Sequence, residues 1–355
     1  MQPTAALEDA LRRILDPRLQ RLEGLGADLA PVVDAVRAFV LDGGKRLRPQ
    51  FAYWGWRSVA GPGADGEDAM LELAASIELV HACALVHDDV MDASDSRRGA
   101  PSVHVRFAGD HRAGRWPGDA DGYGRSAAIL IGDLLLSWAD AAFAAGAARL
   151  PAGPAAAARG VFDLMHEELM AGQFLDVLEQ ARGGFSAEAA ARVIEYKTSK
   201  YTVERPLQVG AAAAGADAAA LGQLSAYALP LGEAFQLRDD VLGVFGNPAI
   251  TGKPAGDDLR EGKRTLLVAL AMQRGDGAQR RALAEGIGRA DLDEAGLAAV
   301  RDVITATGAL GEVEQVIADR LQTALGALDA AGPGLRADAG AALAALARAA
   351  VDRSA

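Results

Sequence analysis

The chain has 355 residues, half of them hydrophobic and 24% charged, with a net charge of −12 at pH 7. That acidity excludes a mainly electrostatic nucleic-acid binder, and the length suits one large domain or two ordinary ones. A single cysteine, Cys83, excludes an internal disulfide and a multi-cysteine zinc site.

In chain order, Met1 to Glu23 lacks a signal-peptide core; Leu7, Leu11, Ile14 and Leu15 fall at helical spacing among charges. The same periodicity predicts helices at 4–22, 28–41, 48–60, 66–92, 125–147, 154–181 and 186–199. It continues at 202–214, 218–245, 263–273, 277–287, 292–307, 309–331 and 335–352. Strand alternation is absent, and abundant alanine with few aromatics favours helix. Gly, Asp and Pro enrichment predicts loops at 108–125 and 247–262. No linker divides the chain, so one all-α domain over 1–355 is expected. No uncharged apolar run reaches membrane-spanning length; the nearest, Ala127 to Ala148, contains Asp133 and Asp140. A soluble cytoplasmic protein is expected, with no nucleic-acid partner and no stable membrane insertion.

Two aspartate clusters interrupt apolar stretches: Asp88-Asp89-Val90-Met91-Asp92 after Leu85-Val86-His87, and Asp239-Asp240 after Gln236. Carboxylates placed there are costly unless compensated, and magnesium, which takes hard oxygen ligands, is a suitable compensator. Asp88 and Asp92 share a helix face, as do Gln236, Asp239 and Asp240. No lysine or arginine precedes Asp88 by one turn, since Ala84 and Leu85 stand there. The arginines Arg97-Arg98 follow the first cluster and suit an anion held jointly by metal and guanidinium.

Other basic groups are Gly43-Gly44-Lys45-Arg46-Leu47-Arg48-Pro49, Glu195-Tyr196-Lys197-Thr198, Gly252-Lys253 and Gly262-Lys263. Neither of the last two has the spacing of a phosphate-binding P-loop. Gly172-Gln173 precedes Asp176 by one helical turn. There is no G-x-S-x-G nucleophile, no H-E-x-x-H zinc pair, and no evident base beside Cys83. These residues suit metal-assisted handling of diphosphates in an apolar helical setting.

In order and spacing, these blocks resemble those of the trans-type (E)-polyprenyl diphosphate synthases along nearly the whole chain. The resemblance implies an isoprenoid synthase-type all-α fold around a deep central cavity, a homodimer, and bound Mg2+. It implies head-to-tail condensation of isopentenyl diphosphate with allylic diphosphates of C5 to C15. By position, Asp88, Asp92 and Asp239 would ligate magnesium, supported by Asp89 and Asp240. Arg97, Lys197, Lys253 and Lys263 would contact the allylic diphosphate. Lys45, Arg48, His81 and Arg98 would hold isopentenyl diphosphate, with Gly44 shaping that loop. Thr198 and Gln236 would stabilise the carbocation or guide proton loss, the departing diphosphate taking the proton.

The second cluster departs from the family pattern: Gly243 stands where a third aspartate often lies. Going back from Asp88, the helix carries Ala84, Cys83 and Val80, none aromatic, which leaves room for a product longer than farnesyl. Geranylgeranyl diphosphate, C20, is the expected product. The alternatives are a farnesyl or longer-chain synthase and a class I terpene cyclase, which would need only one diphosphate site.

Overall fold

The structure is a computed structural model describing residues 3–247 and 256–352. It is all-α, apart from a two-residue antiparallel pairing of β1 (Ser96–Arg97) with β2 (Ala100–Pro101). The chain forms two compact units: Met1–Phe162 with Pro206–Leu221, and Asp163–Arg205 with Gly222–Ala355.

The first unit is organised by α4 (Glu67–Met91), which packs against α1 (Thr4–Glu23), α3 (Leu47–Val59) and α6 (Ala120–Ala147). Its first turn carries Glu67 and Asp68, whose charges complement the helix dipole. α1 buries Leu7, Leu11, Ile14, Leu15 and Leu19, one stripe at helical spacing. α2 (Ala30–Leu41) buries Val33, Val36 and Val40. By length and composition α4 and α6 are apolar enough to cross a membrane. Most of α4 is buried within the protein, whereas α6 exposes Ile129 and Leu130.

The loop expected at 108–125 is mostly helix. α5 (Val103–Ala113) runs through its first part, and α6 starts at Ala120. Glycine there serves close packing: a Cβ at Gly124 would overlap the His104 carbonyl, so α5 and α6 meet closely at that point. His111, Trp116 and Tyr123 stack edge to face, and the Asp119 side chain accepts the Asp121 N–H at 3.0 Å to cap α6.

The second unit takes α7 (Ala152–Arg182) from Asp163 onward, then α8 (Ala187–Val193). A π-helical stretch, Ile194–Glu204, bridges the helix break expected at 200–201 and leads into α9 (Arg205–Ala213), which from Pro206 onward belongs to the first unit. Arg205 N–H reaches the Lys200 carbonyl, and Pro206 has no N–H to draw the turn back to α geometry. Next come α10 (Ala218–Phe245), α11 (Asp257–Glu261), α12 (Leu266–Arg274) and α13 (Gly277–Gly286). α14 (Glu294–Ala306), α15 (Ala309–Ala331) and α16 (Ala337–Val351) complete the chain. α12 packs on α15 and α15 on α16, where Tyr227 of α10 donates to the Leu343 carbonyl at 2.8 Å. The short α11 lies within the stretch read as loop.

Candidate active site

In the first unit the acidic cluster ends α4. Asp88 and Asp92 are half-buried, whereas Asp89 is fully buried. Asp89 accepts three hydrogen bonds from Arg97, at 2.8, 2.9 and 2.6 Å, in a fork-to-fork ion pair. The same guanidinium lies 3.8 Å from Asp88. Arg97 reaches back because the chain reverses tightly after it: Arg98 and Gly99 both take positive φ, 54° and 77°, between β1 and β2. Asp89 thus serves to hold Arg97 beside Asp88.

The turn also aims Arg98 at the loop before α3. Its Nη1 lies 3.4 Å from the Phe39 carbonyl and 3.5 Å from the Gly43 carbonyl. A Cβ at Gly44, whose φ is 109°, would come within 3.2 Å of Arg46 Nη1 and 3.4 Å of Arg98 Nη2. His81, half-buried, feels Arg48, Arg98, Arg97 and Arg46. Burial first, then those four charges, pushes its pKa well below the ordinary histidine value, so the imidazole is neutral at pH 7. Lys45 is exposed and its carbonyl accepts from Gln50 at 2.7 Å. Gly44, Arg48, His81 and Arg98 thus lie near one another and gather positive charge, and Lys45 shares the Gly44 loop with its side chain exposed.

Arg46 is the residue that motif reading passed over. It is 2% exposed, left-handed at φ 50°, and donates to Glu8, Glu78 and the Val40 carbonyl, each at 2.7 Å. Burial opposes its charge, but Glu8 and Glu78 outweigh that and hold its pKa above the usual arginine value. The sequence signal was Glu78, another carboxylate alone in the apolar run that leads to Asp88.

Val80 and Cys83 are buried, and Ala84 is half-buried. Cys83 has a base nearby after all, with His87 Nδ1 3.8 Å from its sulfur. Burial, with Asp133 adding to it, nonetheless pushes the thiol up to about 12, which leaves no nucleophile at neutral pH.

In the second unit two glycines clamp the π-helical stretch. A Cβ at Gly172 of α7 would run into the Lys197 backbone, and one at Gly232 of α10 into Ser199. This close approach sets three side chains in a row. Thr198 Oγ1 donates to Gln236 Oε1 at 2.6 Å, and Gln236 Nε2 donates to Asp240 Oδ1 at 2.7 Å. Lys197 Nζ lies 2.6 Å from Asp176, which explains the Gly172-Gln173 and Asp176 block. Lys200 and Arg205 both bind Glu168 and brace the stretch from its other side.

Asp240 is 5% exposed. Burial, opposed by the Gln236 hydrogen bond and joined by the charges of Asp258 and Asp239, pushes its carboxyl up to about 8; Lys263 pulls the other way. Asp239 is half-buried beside it. Lys263 lies 3.3 Å from Asp258 and 2.9 Å from Glu261. Lys253 lies outside the described residues. Arg238 points elsewhere, forming a two-pronged pair with Glu314 at 2.6 and 2.7 Å.

Among the described residues no three histidine, cysteine or carboxylate side chains close into a metal cage. Asp88 and Asp92 in the first unit and Asp239 in the second each offer carboxylate oxygens, and burial favours the uncharged acid form of the neighbouring Asp240. Carboxylate oxygens are the donor type that suits magnesium, which binds through one or two carboxylates together with substrate phosphates.

A model of the polyprenyl synthetase family matches residues 30–304. A geranylfarnesyl diphosphate synthase from Aeropyrum pernix is 35% identical over 77% of this chain and 79% of its own length. A (2E,6E)-farnesyl diphosphate synthase from Mycobacterium tuberculosis is 34% identical over 75% of this chain and 68% of its own. The crystal structure of a geranylgeranyl pyrophosphate synthase from Corynebacterium glutamicum, complexed with isoprenyl diphosphate and magnesium, superposes with a TM-score of 0.93. That protein is 40% identical, with 99% of this chain and 98% of the other covered.

Proposed function

This chain belongs to the polyprenyl synthetase family, and we propose that within it the protein is a magnesium-dependent geranylgeranyl diphosphate synthase. The observation that supports the reading is the group of Gly44, Arg48, His81 and Arg98, which adds positive charge beyond Arg97, the arginine that Asp89 holds. A cyclase needs one diphosphate site; a condensing enzyme needs two.

Isopentenyl diphosphate is held by Lys45, Arg48, Arg98 and neutral His81, which serves as a hydrogen-bond partner rather than a charge. The allylic diphosphate is met by Arg97, which Asp89 orients, and by Lys197, Lys253 and Lys263. Asp88, Asp92 and Asp239 would hold magnesium, which when bound would supply positive charge to the departing diphosphate. As the allylic carbon–oxygen bond breaks, a carbon–carbon bond forms to isopentenyl diphosphate, whose proton leaves to the released diphosphate. Gln236, fixed by Thr198 and Asp240, presents a directed dipole to the positive charge on the hydrocarbon. The small residues Val80, Cys83 and Ala84 support a C20 product. The exposed Ile129 and Leu130 on α6 are read as part of a homodimer contact.

The test is incubation with isopentenyl diphosphate, magnesium and each of the C5, C10 and C15 primers, with product sizing by mass spectrometry. A C20 diphosphate from all three is expected. A C15 or C25 end point overturns the chain length alone; hydrocarbon from geranylgeranyl diphosphate by itself overturns the synthase reading. Ala84→Phe should shorten the product, and an unchanged length would remove Ala84 from the product pocket.

A further inference from the structure

Gly243 follows Asp239 by four residues, so it stands one turn further along the same face of α10. The three atoms nearest a Cβ built there all belong to the Asp258 side chain, its carboxylate first. The Asp258 carboxylate therefore lies in the volume that a short side chain at 243 would fill. It arrives from α11, fifteen positions later in the chain, and Asp258 is only 9% exposed.

The segment that carries it is fixed at several points. Gly256 and Gly262 bound α11 with φ of 74° and 77°. Lys263 N–H donates to the Asp258 carbonyl at 3.0 Å, and Gly288 N–H to the Leu259 carbonyl at 2.8 Å. Lys263 Nζ, 3.3 Å from Asp258 Oδ1, supplies the counter-charge that makes this burial tolerable. The bare glycine at 243 leaves room for the carboxylate as it lies; a Cβ there would force the Asp258 side chain to shift.

We infer that Asp258 supplies the third carboxylate that Gly243 omits, so that the second acidic half-site consists of Asp239, Asp240 and Asp258. The inference rests on the diphosphate–magnesium reading given above. Asp258 is a positioning residue: it adds negative charge beside Asp240 and one turn from Asp239, where a divalent cation would be held with a diphosphate. The departure from the family pattern at 243 is then a relocation of a carboxylate, and the acidic charge of the half-site is preserved.

The experiment follows thermal unfolding of the full chain during titration with Mg2+ at fixed inorganic pyrophosphate, a readout independent of turnover. Wild type should gain stability with Mg2+. Asp258→Asn keeps the shape and removes the charge; its Mg2+ midpoint should rise about 10–100-fold, as for loss of a residue that orients a metal ligand. The double variant Gly243→Asp/Asp258→Ala moves the carboxylate back onto α10 and should recover most of that loss. An unchanged midpoint in Asp258→Asn, or a double variant no better than Asp258→Asn, overturns the inference while leaving the function intact. If Asp258→Asn does not fold, the double variant against wild type decides: a near-wild-type midpoint supports relocation, and a lost response overturns it. A wild type that gains nothing from Mg2+ and pyrophosphate overturns the functional reading, and this inference with it.

Discussion

The two acidic clusters are assembled in opposite ways. The first is local: Asp88, Asp89, Asp92 and Arg97 lie within ten residues, and one tight turn brings the arginine onto Asp89. The second is gathered from distant parts of the chain, with Thr198 from the π-helical stretch, Gln236 and Asp240 from α10, and Asp258 from α11. A local cluster can tolerate change elsewhere in the fold, whereas a gathered one depends on every close approach that delivers a part.

The largest expected effect lies beside the first cluster, at the clamp behind its basic loop. Arg46→Met leaves Glu78 buried without its partner and should cost about 3–5 kcal/mol of stability. Urea unfolding measures it; a loss comparable to a surface substitution would show that the loop is held otherwise. Next come Asp88→Ala and Asp239→Ala, each expected to lower kcat by roughly 10²–10³. A steady-state assay in which either keeps near-wild-type turnover would remove that residue from the metal chemistry. If only Asp239→Ala were silent, the two clusters would be unequal in function as well as in construction.

Gly232→Ala is smaller and tests the gathered cluster alone. Its methyl would press on Ser199 and should cost about 1–3 kcal/mol, with kcat falling as Thr198 moves from Gln236. An alanine variant equal to wild type in both respects would mean that the approach of α10 to the π-helical stretch has slack. The smallest effect is at Cys83, whose thiol is pushed up to about 12. Raising the pH from 7 to 9 should leave it protonated and unreactive towards iodoacetamide in the native protein, and denaturant should release it. Prompt native alkylation at pH 8 would contradict its burial.

What was legible in the sequence follows the same division. The all-α fold and the first cluster are read from spacing along single helices, and the order of motif blocks along the chain points to the family. The helix from Val103 to Ala113 was not legible, because Gly109, Gly114 and Gly124 read as loop punctuation, whereas Gly124 is where two helices touch. The break expected at 200–201 failed for a related reason: periodicity distinguishes helix from loop, but not α from π. Arg46 with Glu78 and Asp258 with Gly243 were beyond reach because each pair joins separate segments. Helical periodicity relates residues on one face of one helix and carries no information about what another helix lays across it.

The most direct test of the account is transfer of radiolabel from isopentenyl diphosphate to an unlabelled C15 allylic diphosphate, with magnesium and with excess EDTA. The account predicts label in a C20 diphosphate with magnesium and none with EDTA. Label that stays in isopentenyl diphosphate under both conditions, or transfer that persists in EDTA, would contradict it.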